Sequence, residues 1–155
     1  VIVSDAHDQF RLILHTVVGA AYTAAGYHLE ERPTQWAGGL FRYAKALEEG
    51  TYAGMLSVLE YQHLYYPEQE VGRFRIALVR SALPGKPLPD GQQPARRLLT
   101  GLIWGDFGVR VLPDPEYWWS YETVHEMGTG MAESGQLAVG YGMPWLSGDL
   151  VSPRR

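Results

Sequence analysis

Two histidines and a glutamate, His28, His63 and Glu60, fall on stretches that read as β-strand. If their side chains converge, they supply a general acid and a general base, and the chain is a small hydrolase or lyase with its pocket against a sheet. A second set is cationic. Arg73 and Arg75 share one face of the alternating segment from Arg73 to Arg80, and Arg42 falls on the same side of a neighbouring strand. Forked guanidinium donors there suit an anionic ligand or an acidic partner, or else pair with Glu48 and Glu60 on a wet sheet face. The third set is aromatic: Tyr117-Trp118-Trp119-Ser120-Tyr121, and later Tyr141 and Trp145-Leu146. Neighbouring side chains point in different directions, so Trp118 and Trp119 are not both core. The ring left outside, with Tyr121, is the candidate surface for a protein partner, a second copy of the chain as a homodimer, or a small ligand.

Other groupings are incomplete. The stretch Val1-Ile2-Val3-Ser4-Asp5-Ala6-His7-Asp8 resembles the first metal motif of calcineurin-like metallophosphoesterases, in which a strand delivers an Asp and a His to a bimetal centre. That family's further ligand motifs, Gly-Asn-His and Gly-His-X-His, have no counterpart here, and one Asp with one His does not build a two-metal site. Ser4 or Asp5 is therefore expected to cap a helix, with His7 on the surface. His125-Glu126 is similar to the start of the zincin helix, but Thr129 stands where the second zinc histidine belongs. No Gly-X-Ser-X-Gly or phosphate-binding glycine loop is present, so neither a metal nor a cofactor is expected.

Composition bounds the remaining classes. A chain of 155 residues with 46% hydrophobic and 19% charged residues suits one globular domain with its own core. The net charge is −4, and the basic residues thin out along the chain: residues 42–97 hold 8 Lys/Arg against 6 Asp/Glu, whereas residues 98–153 hold Arg110 alone against 7 acids. An acidic chain with no basic run argues against nucleic acid. The absence of cysteine excludes disulfides and thiolate chemistry, and a cytoplasmic setting is expected. Leu12 to Ala21, broken by His15 and Thr16, is too short for a membrane span.

Periodicity marks out the helices and strands of the chain. Phe10, Ile13, Leu14, Val17, Val18 and Ala21 recur at helical spacing up to Gly26, which predicts a long N-terminal helix. Tyr27 to Glu30 reads as a short edge strand ending before Pro33. Leu40–Leu47, Tyr52–Tyr66 and Arg73–Arg80 alternate as three strands of an antiparallel meander. Prolines 84, 87, 89 and 94 mark a loop, with Pro94 opening a second helix through Leu98, Leu102 and Phe107. Val109–Leu112 is expected to add a strand. Ser120 is expected to cap a third helix carrying Val124, Met127 and Met131 to Gly135, followed by an irregular segment anchored by Trp145 and Leu146.

The fold expected is α+β: a meander of three to five strands with the long N-terminal helix and two later helices on one sheet face. The function expected first is a non-enzymatic interaction or ligand-binding module that uses the aromatics and the arginine face.

Overall fold

The computed structural model describes residues 2–153, so Val1 of the opening stretch lies outside the described residues. Helix α1, Val3–Ala24, buries Phe10, Leu14 and Val18 of the predicted stripe together with Tyr22, while Val17 and Ala21 of that stripe are exposed. Its N-cap is Ile2, with no side-chain capping bond, so neither Ser4 nor Asp5 caps it. The metallophosphoesterase-like stretch is thus helical from its third residue, not a ligand-bearing strand. The chain turns at Gly26 into β1, His28–Leu29, and Pro33 opens a short helix, α2, Pro33–Ala37.

Strands β2 (Leu40–Ala46), β3 (Met55–Tyr66) and β4 (Val71–Ala82) form the antiparallel meander, and β1 adds to its edge through β2. Strand β4 has two partners on its far side. β5, Ala95–Leu98, pairs with its C-terminal half and β6, Trp119–Tyr121, with its N-terminal end. The sheet therefore has six strands in the order β1-β2-β3-β4-β5, with β6 also on β4.

Several expectations give way to the structure from Pro94 onward. Pro94 starts no helix, because Ala95–Leu98 is drawn into the β4 ladder first; a short α3, Leu99–Gly101, then runs into a wide π turn, Leu102–Asp106. Residues 109–112 form no strand, while Trp119–Tyr121 does. Ser120 lies inside β6, and α4, Val124–Leu137, is capped instead by Thr123. Thr123 Oγ1 accepts from the Glu126 amide and Glu126 reaches back to the Thr123 amide, a complete capping box. A second π turn, Ala138–Gly142, leads into α5, Met143–Ser147, where Leu146 is buried. None of the helices is long and apolar enough to cross a membrane.

Helices α1 and α4 lie together over one sheet face. The core between them holds Phe41 and Tyr43 of β2, Leu59, Tyr61 and His63 of β3, Phe74, Ile76 and Leu78 of β4, and Trp119 and Tyr121 of β6. Some of its phenols are paired, Tyr22 with Tyr61 at 2.6 Å and Tyr27 with Ser57 at 2.7 Å, whereas the Tyr43 hydroxyl is not. The opposite face carries Arg42, Glu60, Gln62, Arg73 and Arg75, as strand alternation requires.

Candidate functional site

On the outer face, charge is matched along one line and unmatched along another. Arg42 and Glu60 are direct cross-strand neighbours, and Glu60 is only 5% exposed. Its carboxylate takes two bonds from Arg96, at 2.9 and 3.1 Å, and faces Arg42 at 3.8 Å. Arg42 also meets Glu30 at 2.9 Å, and Arg32 meets Glu30 at 3.3 Å. Burial alone would raise the Glu60 pKa, but the bonds from Arg96 and the charges of Arg96 and Arg42 outweigh it and hold the group below its usual value. Arg96 is raised in turn by its bond to Glu60.

Arg73 and Arg75 are different. Arg75 donates to Gln62 at 2.7 Å, and among the described residues neither guanidinium has a carboxylate partner. Both lie 4.4 Å from the indole of Trp118, and Arg73 is also over Tyr66 at 5.6 Å. Arg73 Nε is buried with no acceptor. A shallow groove of about 320 Å³, lined by Tyr66, Gln69, Val71 and Arg73, opens beside them.

The aromatic cluster is divided by the register of β6. Trp119 lies opposite Phe74 and stacks on it with ring centroids 5.7 Å apart, only 3% exposed, while Tyr121 lies opposite Gly72. Trp118 falls on the other face, half-buried, with the arginines. Of the candidate ligand-binding residues, the fold brings Trp118, Arg73 and Arg75 together, ties Arg42 into the ion-pair line, and places Trp119 and Tyr121 in the core.

The candidate acid–base trio is not brought together. His63 and Glu60 are three residues apart on β3 and so point to opposite faces, and His28 is exposed on β1. The partners of His63 lie elsewhere. His63 is 1% exposed; its Nδ1 is 2.8 Å from His7 Nδ1 and its Nε2 is 2.5 Å from Tyr121 Oη. Phe10 stacks on its ring at 4.1 Å. Burial, then the neighbouring His7, pushes the His63 pKa down to about 3, and burial lowers His7 as well against the pull of Asp8. The expected surface placement of His7 is thus corrected: it is 5% exposed, because α1 starts early enough to set it in the core-facing stripe.

Two glycines make room for this file. A Cβ at Gly72 would run into the Tyr121 ring, and one at Gly39, whose φ is +82°, would run into the His63 carbonyl and the His7 ring. No group of three or more His, Cys, Asp or Glu side chains that could hold a metal occurs among the described residues. Comparisons with protein-family models, curated proteins and solved structures find no match.

Proposed function

We propose that this α+β domain is a binding module whose outer sheet face takes an anionic group, without chemistry on it, either a small anion or the acidic segment of a protein partner. The observation that supports it is the pair Arg73 and Arg75. Two like charges are set against one indole, with no carboxylate between them, beside a line of three arginines and two glutamates in which every arginine has a carboxylate partner. Holding two guanidiniums together without a counter-charge costs free energy, and an anion bridging them removes that cost while satisfying the orphaned Arg73 N–H. Trp118 keeps both planes presented and supplies apolar contact at the rim. The lack of cysteine fits a cytoplasmic setting for such a module.

Titration with inorganic phosphate and with an acetylated tetra-glutamate peptide, followed by backbone amide shifts, tests this reading. The expected result is saturable shifts clustered on β4 and around Trp118, weakened roughly tenfold by Arg73→Gln or Arg75→Gln. Arg32→Gln, in the matched line, should leave binding intact. Shifts that are absent, or unaffected by either arginine variant, would overturn the proposal.

A further inference from the structure

On the helix-covered face, the file His7–His63–Tyr121 ends at a cavity of about 240 Å³ lined by Ala6, Gln9, Tyr65, Glu70, Tyr121 and Met127, among others. That is slightly below the roughly 300–1,000 Å³ of drug-sized sites. The geometry of the file restricts its protons. Each neutral imidazole has one N–H and one lone pair, and the two rings meet nitrogen to nitrogen. Two arrangements satisfy every contact. In one, His7 Nδ1–H donates to His63 Nδ1 and His63 Nε2–H donates to Tyr121 Oη. In the other, Tyr121 O–H donates to His63 Nε2 and His63 Nδ1–H donates to His7 Nδ1. Interconversion carries one proton from end to end while both rings finish neutral. Burial supports this neutral mode, since it holds His63 far below its ordinary pKa and raises that of Tyr121. His7 Nε2, the ring nitrogen that does not face His63, is the far end of the file, and His7 keeps 5% of its surface exposed.

The cavity wall indicates the charge of what would enter. Glu70 and Glu122 line it, and no Lys, Arg or His does. Among the described residues Glu70 is the one non-glycine with positive φ, +54°, a conformation glycine adopts at less cost. At the rim the N-terminus of α4 already has an anionic group of its own, the Glu126 carboxylate, which accepts from the Glu122 and Thr123 amides. Carboxylates beside aromatic rings are the chemistry that recognises an ammonium group.

We propose that this cavity is an acid–base site for a small primary amine, bound as its ammonium by Glu70 and Glu122 against Tyr65 and Tyr121. In the proton step an ammonium N–H bond breaks and its electron pair stays on nitrogen. The proton goes to Tyr121 Oη as the phenol proton passes to His63 Nε2. The His63 Nδ1 proton passes to His7 Nδ1, and His7 Nε2 gives its proton to water. The products are the free, nucleophilic amine and hydronium, and the file returns neutral in its other arrangement. Tyr121 is the group that touches the ligand; His63 and His7 act through it.

The test is ¹⁵N-histidine NMR of the whole chain with benzylamine, using benzyl alcohol as the uncharged control. Expected are saturable binding of benzylamine alone, a roughly tenfold loss in Glu70→Gln, and movement of the His63 and His7 nitrogen shifts between their Nδ1–H and Nε2–H values. Tyr121→Phe keeps the ring and should still bind benzylamine, but with the histidine shifts unmoved; circular dichroism checks that both variants are folded. Equal binding of the alcohol, no binding of either probe, or histidine shifts indifferent to benzylamine in the unmodified chain would each overturn the proposal. None of these outcomes depends on the arginine face.

Discussion

The side chains of Trp118 and Trp119, adjacent in the chain, lie on opposite faces of one sheet. Trp119 stacks on Phe74 and donates to Glu133 at 3.2 Å, whereas Trp118 covers two guanidiniums. Their substitutions should therefore separate. Trp119→Ala opens a core cavity and should cost about 3–5 kcal/mol of stability. Trp118→Ala should cost about 1 kcal/mol or less and weaken anion binding instead. Urea denaturation of both variants, with phosphate titration of the second, checks the split; equal loss of stability would contradict the two-face division.

The buried histidine pair makes stability depend on acid. The folded-state pKa of His63 is about 3 against an ordinary 6.5, so below pH 6.5 the unfolded chain binds a proton that the folded chain excludes. The contribution is fully present above pH 6.5 and is lost as pH falls toward 3, with a slope of about 1.4 kcal/mol per pH unit from His63. His7, shifted in the same direction, steepens it. Urea midpoints measured between pH 7.5 and 4.5 should fall with acid, and His63→Phe should flatten the dependence. A midpoint that does not change across that range would show that the pair is not held neutral.

Tyr43 offers a stabilising substitution. Its ring packs edge-on against Tyr22 at 5.0 Å, but its hydroxyl is buried without a partner, and burial raises its pKa to about 12. Tyr43→Phe keeps the packing and removes the unsatisfied group, so a gain of about 1 kcal/mol is expected. The neighbouring Tyr61→Phe removes a hydroxyl bonded to Tyr22 and should destabilise. Thermal melts of the two variants should move in opposite directions.

Much of this architecture is legible in the sequence. Helix α1 and the three meander strands show their periods because each buries one continuous stripe or face, and the same alternation places Arg42, Arg73 and Arg75 opposite the core. The short elements are hidden for a physical reason. Strands β5 and β6 are four and three residues long, too short to show a period, and exist because β4 offers unpaired backbone to both. A legible signal does mark the start of α4, the spacing of Thr123 and Glu126, and it takes precedence over Ser120. The file His7–His63–Tyr121 is a different case. It joins three elements far apart in sequence, and its one trace is the pair of glycines, Gly39 and Gly72, whose missing side chains become meaningful only once their neighbours are known.

The tandem pairing of β5 and β6 on β4 has an architectural consequence. The connection from residue 99 to 118 leaves and returns to the same strand, so the sheet holds it at both ends as a handle. Lengthening a loop so anchored is inexpensive, about 0.6 kcal/mol per doubling, and Pro113, Asp114 and Glu116 on its outer side are exposed. At those positions the fold can accept inserted chain, while the arginine face and the histidine file keep their places on either side of β4.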